Sequence, residues 1–326
     1  MSLRPMKWDG DALLMLDQRL LPMQTEWLRL TAWQEVEEAI REMAVRGAPA
    51  IGIAAGYGMA LAALRGDNQE AARTGLAASR PTAVNLFWAL DRVAEVPFEF
   101  ESVLRVAQRV EADDLACNHA IGRNGANLVP QGATILTICN TGALATAGHG
   151  TALGIIRTAH EDGKGVFVYS CETRPRQQGL RLTAYELLHE GIPFKSIVDS
   201  AAASLMQAGK IDLVVAGADR ITANGDSANK IGTLSLAVLA HHFGVPFVIA
   251  APTSTIDGDM ASGDLIPIEE RSAEEITHCE GVQIGPSGVQ VYNPGFDVTP
   301  GDLISAIVTE RGVFQKPYDF ALEMSR

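Results

Sequence analysis

The chain is expected to be an α/β protein: a C-terminal doubly wound, Rossmann-like parallel sheet with a smaller, mainly helical N-terminal domain that carries a small sheet. Two observations predict this. From Pro130 onward, short apolar β-rich runs (ATILTIC, GVFVYS, FKSIV, DLVVAGA) alternate with helical segments, the pattern of a parallel sheet covered on both faces. Before that point helical periodicity dominates, after a short alternating stretch. Residues 1–122 are assigned to the first domain and 123–326 to the second. At 326 residues the chain is long enough for two such units.

In order along the chain, Ala12–Leu16 and Glu26–Leu30 alternate as a hairpin or small sheet does. Thr31 reads as the N-cap of a helix through Trp33–Val45, with Gln34 completing a capping box. Arg46-Gly47-Ala48-Pro49-Ala50 breaks it, and a small-residue helix follows over Ile51–Leu64, stopped by Gly66. Ser79-Arg80-Pro81-Thr82 is another break, ahead of helices at Val84–Val93 and Phe100–Asn127. Strands are expected near 133–139, 165–170, 194–198, 212–217 and 246–251. Helices are expected from about Gly179 and Ile231, the second putting Asn229 and Lys230 at its N-terminus. Past the turn-rich Val291–Pro300, Thr299 is placed to cap a last helix, Pro300–Thr309.

Composition narrows the function. With 26 Lys+Arg against 39 Asp+Glu the net charge is −13, which argues against nucleic acid or an anionic membrane as partner. An anionic substrate must then be held by local groups. No apolar run is seen to reach the ~18 residues of a spanning helix, and Met1-Ser2-Leu3-Arg4-Pro5 precedes no signal-peptide core, so a cytoplasmic location is expected. Cys117, Cys139, Cys171 and Cys279 are scattered, and His241-His242 are adjacent rather than chelating; neither a disulfide framework nor a metal site is expected. GxGxxG and GxxxxGK[ST] are both absent, which argues against a dinucleotide or ATP. A small phosphorylated substrate, without a cofactor, fits best.

The unusual polar residues cluster where strands end: Ile138-Cys139-Asn140-Thr141-Gly142, Cys171-Glu172-Thr173-Arg174-Pro175, Val198-Asp199-Ser200 and Ala216-Gly217-Ala218-Asp219-Arg220. The carboxyl ends of parallel strands line one crevice, where ligands bind. Cys139 reads either as an inert small hydrophobe or as a thiol activated by a following helix N-terminus. Cys171 occupies a similar place, with Glu172 beside it the better polar candidate. Asp219 reads either as a cap or partner of Arg220 or as a functional group of the crevice; the polar run Thr222–Lys230 ahead of an apolar helix favours the second. Arg46 with Gly47 and Ala48, and more weakly Arg80, offer cations at breaks where a backbone can approach a phosphate closely.

Taken together, Arg46-Gly47-Ala48-Pro49-Ala50-Ile51-Gly52, Cys139-Asn140-Thr141-Gly142, Glu172-Thr173-Arg174-Pro175 with Gln178-Gly179, Gly217-Ala218-Asp219-Arg220-Ile221 through Asn229-Lys230-Ile231-Gly232-Thr233, and Tyr292-Asn293-Pro294-Gly295-Phe296-Asp297 resemble the methylthioribose-1-phosphate isomerase family. Its superfamily includes the regulatory subunits of translation initiation factor 2B and ribose-1,5-bisphosphate isomerases. The resemblance implies an aldose–ketose isomerase of methionine salvage, a homodimer, with Cys139 and Asp219 catalytic. It also implies substrate contacts from Arg46, Gly47, Ala48, Arg80, Gln178, Asn229 and Lys230. The chain departs from the family in having Ile138 where His is common and Thr141 where Ala is common. The alternatives are a related isomerase, of 5-deoxyribose 1-phosphate or ribose 1,5-bisphosphate, and a non-catalytic regulatory subunit. The site is expected between the two domains, with Arg46 and Arg80 reaching across to Cys139 and Asp219. Its apolar wall is expected from Ala48, Pro49, Ile51, Ile138, Leu144 and Ile231.

Overall fold

The structure is a computed structural model that describes residues 3–323 other than 82 and 280. Thr82, in the expected break after Ser79, and Met1 and Ser2 therefore lie outside the described residues. The chain starts with an antiparallel sheet, β1 (Met6–Asp9), β2 (Ala12–Leu16) and β3 (Trp27–Leu30); β1 is an addition to the expected hairpin. α1 spans Trp33–Arg41 and differs from expectation at both ends. Its cap is Ala32 rather than Thr31, and the reaching side chain is Glu35 rather than Gln34: that carboxylate accepts the backbone N–H of Thr31 at 2.6 Å and of Ala32 at 3.0 Å. It stops short of Val45 because Met43 adopts a left-handed φ of 58°.

The helices α2 (Ala48–Arg65), α3 (Gln69–Ser79), α4 (Val84–Ala94) and α5 (Phe100–Ala126) follow. α2 corrects the expectation that no run is long and apolar enough to span a bilayer: its 18 residues have a hydropathy of 1.2. Every residue from Ala50 to Ala62 is buried, because α1, α3, α4 and α5 all pack on it. Its Ala and Gly residues let those neighbours come close, so uniform apolarity here marks a core helix. α5 runs through residue 122. Val103, Ala107 and Val110 belong to the core around α2, and Ile121 and Ala126 to the core against the sheet.

The second half is built from β4 (Thr134–Thr137), α6 (Ala152–Glu161), β5 (Phe167–Cys171), α7 (Ala184–Glu190), β6 (Phe194–Ile197), α8 (Ala202–Gln207) and β7 (Leu213–Ala216). After it come β8 (Arg220–Thr222), β9 (Ser227–Lys230), α9 (Thr233–Phe243), β10 (Phe247–Ala250), β11 (Ile256–Asp257), β12 (His278–Cys279) and β13 (Val282–Gln283). The last strands are β14 (Phe296–Thr299), β15 (Ala306–Thr309) and β16 (Gly312–Phe314). The main sheet runs β16-β15-β10-β7-β4-β5-β6, parallel except for β16. Alternate residues feed opposite cores: Ile135, Leu213 and Val215 pack under α5 and α6, while Leu136, Val214 and Ala216 pack under α8 and α9.

The strand order reverses between β4 and β7: the chain leaves β4 toward β5 and β6, then returns to lay β7 on the other side of β4. In an open α/β sheet that switch point opens a crevice at the carboxyl ends. Two local expectations fail. The last helix, Pro300–Thr309, is absent; a single turn over Gly301–Leu303 leads into β15. The run Ile304–Val308 is apolar and partly β-branched, and pairing with β10 decides its conformation. Asn229 and Lys230 lie in β9, antiparallel to β14, rather than at a helix start. α9 begins after Gly232, capped by the Asp297 carboxylate, which accepts from the N–H of Gly232 (2.7 Å) and Leu234 (3.1 Å).

Candidate active site

Cys139 sits just past β4 in a left-handed conformation, φ 68°, which costs a non-glycine residue about 1–3 kcal/mol. Two hydroxyls hold it there. Its N–H donates to Thr173 Oγ1 at 2.9 Å, and its carbonyl accepts from Thr183 Oγ1 at 2.6 Å. Thr173 is in turn fixed by Asp199, whose carboxylate accepts the N–H of Thr173 and of Arg174, both at 2.8 Å. The expected helix N-terminus behind the thiol is not there: a three-residue turn, Ala143–Ala145, follows, and α6 begins only at Ala152. Side chains take its place. Arg46 Nη2 lies 3.7 Å from the sulfur and Gln178 Nε2 3.5 Å from it.

Arg46 arrives from the helical half, far inside the ~15 Å that one small sugar phosphate could bridge. Its Nη1 donates to Asn140 Oδ1 at 2.8 Å and its Nη2 to the Asn140 carbonyl at 3.3 Å. Gly47 makes this docking possible. Its φ is 94°, and a Cβ there would lie 2.5 Å from the Ala145 carbonyl oxygen, so the start of α2 abuts the turn after Cys139 as only glycine permits.

Asp219 follows β7, across the switch point. Its backbone N–H donates to the Ala228 carbonyl at 2.8 Å, joining the loop to β9. Its carboxyl is exposed to the cavity, and partial desolvation by the cavity walls raises its pKa above the ordinary carboxylate value. The charges of Lys230, Arg46 and Arg80 oppose the rise. The alternative of a pair with Arg220 is not realised; Arg220 pairs with Asp257 at 3.3 Å. Lys230 Nζ donates to the Gly295 carbonyl at 2.8 Å and lies 4.0 Å from the centre of the Phe296 ring. Burial lowers its pKa, against the charges of Cys139 and Asp219. Arg80 is lowered too, by burial first and then by Arg271.

These groups line one cavity of about 550 Å³, in the range of small-molecule sites. Cys139, Asp219, Arg46, Gly47, Ala48, Arg80, Gln178 and Lys230 all face it. Asn229 does not: it is buried, donating to Thr233 Oγ1 at 2.9 Å. Of the expected apolar wall, Ala48 and Ile51 line the cavity, while Pro49, Ile138, Leu144 and Ile231 do not. Ile138 and Leu144 are inside packed cores, because a strand-end residue alternates between crevice and core. The wall is made instead by Met43, Val84, Phe87, Leu182, Ile266, Ile268 and Phe296.

Sequence reasoning placed Arg220 at the crevice but missed other charge there. Besides Arg46, Arg80 and Lys230, the cavity is lined by Arg19, Arg176, Arg181, Arg220 and Arg271. Arg19, Arg176, Arg220 and Arg271 are ion-paired with Asp17, Glu275, Asp257 and Glu269. That leaves Arg46, Arg80, Arg181 and Lys230 as the lining cations outside an ion pair among the described residues. In a chain of net charge −13, this cationic concentration at the switch point selects an anion. Gln178 Oε1 is buried with no hydrogen-bond partner among the described residues.

A thiol under two N–H donors, facing a carboxylic acid in a cationic crevice, defines an α/β enzyme of small phosphorylated substrates. The chain belongs to the initiation factor 2 subunit family, whose model matches residues 44–316, and within it to the methylthioribose-1-phosphate isomerases. It is 53% identical to the methylthioribose-1-phosphate isomerase of Pelotomaculum thermopropionicum over 96% of this chain and 92% of that one. It is 52% identical to that of Thermotoga maritima, over 97% and 96%. Among solved structures, 5-methylthioribose 1-phosphate isomerase from Pyrococcus horikoshii superposes with a TM-score of 0.93 at 43% identity, over 98% and 95% of the chains. The translation initiation factor eIF-2B, subunit delta, from A. fulgidus superposes with 0.91 at 40% identity, over 100% of both.

Proposed function

We propose that this chain converts 5-methylthio-α-D-ribose 1-phosphate into 5-methylthio-D-ribulose 1-phosphate, the isomerisation for which its relatives are named. The observation that carries the reading is the juxtaposition of Cys139 and Asp219 on one cation-lined cavity at the switch point. C1 of the substrate carries phosphate, so the sugar does not open to a free aldehyde; the ring oxygen must gain a proton as the C1–O bond breaks. Protonated Asp219 supplies it, and the partial desolvation that raises its pKa keeps that form available nearer neutrality. Cys139, facing the donors of Arg46 and Gln178, then takes the C2 proton to leave an enol across C1 and C2. It returns a proton to C1 while the C2 hydroxyl gives its proton to the Asp219 carboxylate. Asp219 gives one proton and regains one, while Cys139, acting as the thiolate, takes one and gives one up, so both end as they began. The surrounding cations hold the phosphate.

Turnover of methylthioribose 1-phosphate, 5-deoxyribose 1-phosphate and ribose 1,5-bisphosphate tests the assignment, with the highest kcat/KM expected for the first. Faster turnover of another overturns the substrate, and turnover of none favours a regulatory subunit. Substrate deuterated at C2 tests the base: loss of some label to water is expected and requires proton abstraction. Full retention at C1 that persists when the reaction is slowed, so that a thiol has time to exchange with water, would replace it by a hydride shift. We also propose a homodimer, which the family resemblance supports and light scattering checks, and a cytoplasmic location, which cell fractionation checks.

A further inference from the structure

Beneath the Cys139 loop lies a buried charge that the isomerisation as written does not use. Glu186, on α7, has no exposed surface, yet its carboxylate accepts from four N–H groups. Oε1 accepts from Asn140 Nδ2 at 2.8 Å and the Leu144 N–H at 3.2 Å. Oε2 accepts from the Ala143 N–H at 2.6 Å and Arg157 Nη2 at 3.2 Å. Arg157, on α6, is itself anchored by Glu190, with Nε to Oε2 at 2.7 Å. Burial first, and the charge of Glu190, push the Glu186 pKa up, with Arg157 and the donors opposing; all four groups bonded to it are donors and require lone pairs of it, which the ionised form supplies.

We propose that Glu186 and Asn140 form a buried relay that aims the Arg46 guanidinium at the Cys139 sulfur, so that both are positioning residues for the isomerisation. Glu186 and Thr183 Oγ1, the latter at 3.3 Å, together orient the Asn140 amide nitrogen inward. That leaves Oδ1 pointing out to receive Arg46 Nη1. The opposite amide orientation would set NH₂ against a guanidinium, which has no acceptor. Arg46 thus meets the sulfur at an angle fixed by a carboxylate on a different helix. Stability alone gives little reason for a buried charge here, since apolar packing commonly does as well as a buried ion pair, and the Leu16, Leu21, Leu144 and Leu182 cluster is adjacent.

The relay rests on the activity proposed above, and it predicts a particular kinetic signature. Arg80, Arg181 and Lys230 also line the cavity and make no ion pair among the described residues, so a mis-aimed Arg46 leaves substrate affinity nearly intact while the geometry at the sulfur suffers. Asn140→Ala and Glu186→Gln are each expected to lower kcat about 10–100-fold, the scale of a roughly 1 Å misplacement, with KM within about threefold. In Glu186→Gln the remaining carbonyl oxygen is expected to stay with the Arg157 guanidinium and the short Ala143 N–H bond, which turns the amide NH₂ toward the Asn140 NH₂. Adding Asn140→Asp reverses the polarity of the pair, giving that amide an acceptor and keeping one for Arg46. The double variant is therefore expected to regain at least about fivefold in kcat over Glu186→Gln alone. A folded Asn140→Ala enzyme with kcat within about twofold of wild type, or one whose whole loss appears in KM, overturns the relay. So does a double variant no faster than Glu186→Gln. Should Glu186→Gln fail to fold, the kcat and KM of Asn140→Ala decide. A wild-type chain inactive on all three sugar phosphates sinks activity and relay together; an active one with insensitive variants sinks the relay alone.

Discussion

β4 and β5 are neighbours in the sheet, each leads to a buried cysteine, and the two chain ends meet very different fates. After β4 the backbone turns left-handed at Cys139, and the sulfur faces the cavity under Arg46 and Gln178. At β5 the strand continues through Cys171, which is wholly buried in the core under α8 and α9. Burial foremost, then the charges of Asp199 and Glu172, pushes the Cys171 thiol pKa well above its ordinary value. At that strand end the crevice is served instead by Thr173, whose hydroxyl holds the Cys139 N–H, and by Gln178. The same residue type at equivalent strand ends therefore does chemistry in one place and packing in the other. What separates them is one residue of register, since Thr137 pairs with Ser170 and Cys171 is therefore level with the core residue Ile138, together with the left-handed turn at Cys139 and the cation that docks from the helical half.

The most direct way to break this contrast is to remove each sulfur. Cys139→Ser is expected to fold and to lose about 10²–10⁴-fold in kcat, the worth of one proton-handling group. Asp219→Asn should lose a similar amount, and Cys171→Ala should stay within about twofold of wild type. Comparable losses from the two cysteine substitutions in steady-state assays would erase the distinction.

Next in size is the response to pH. Asp219 acts in its protonated form, so kcat should fall as pH rises through its raised pKa, approaching about tenfold per unit beyond it. Stability carries the same sign. A carboxyl whose folded pKa lies above the unfolded one favours folding only while protonated, and stability is lost as pH climbs from the unfolded value through the folded one. Asp219→Asn should therefore unfold at a higher temperature than wild type at neutral pH, while being nearly inactive. A lower melting temperature would mean that the carboxylate is needed to hold Lys230, Arg46 and Arg80 together.

Much of the contrast was legible in the sequence. The expected strands at 133–139 and 212–217 and the expected Arg46 break converge as their chemistry suggested, because apolar runs and glycine breaks are local signals. What was not legible depends on long-range pairing. Nothing local distinguishes Ile304–Val308 as a strand from a short helix until β10 lies beside it. Lys230 reaches the cavity from a strand pinned by β14, at Phe296, rather than from a helix start. Arg271 and Ile266 come from irregular chain that carries no periodic signal. Ile138 illustrates the limit of strand-end reasoning: one residue from the catalytic thiol, it points into the core.

Chemical labelling sharpens the contrast further. Iodoacetamide applied to the native protein, followed by peptide mass spectrometry, should modify Cys139 and leave Cys171 untouched until the chain is unfolded. Inorganic phosphate should slow the first reaction in proportion to site occupancy and leave Cys117 and Cys279, which lie outside the cavity, unaffected. Protection of all the cysteines alike would point to general tightening of the fold rather than an anion in the cavity.

The smallest expected effect inverts the order of the largest. Removing the Cys171 sulfur leaves a sealed void among side chains that include Leu136, Ile138 and Val214, and a close-packed core recovers only part of such a loss. Gly179 crowds the same strand end, with a Cβ there meeting the Cys171 carbonyl oxygen at 1.9 Å, so the backbone has little room to relax inward. Cys171→Ala should accordingly cost about 1 kcal/mol of stability. Cys139→Ala takes a sulfur from a residue that already lines an open cavity; no void is sealed, and the hydroxyl clamps from Thr173 and Thr183 act on its backbone and survive. Its cost should stay below about 0.5 kcal/mol. Chemical denaturation of the two alanine variants side by side measures the difference. If Cys139→Ala proves the less stable of the two, the thiol is helping to hold its own left-handed loop, and packing and chemistry are not divided between these strand ends.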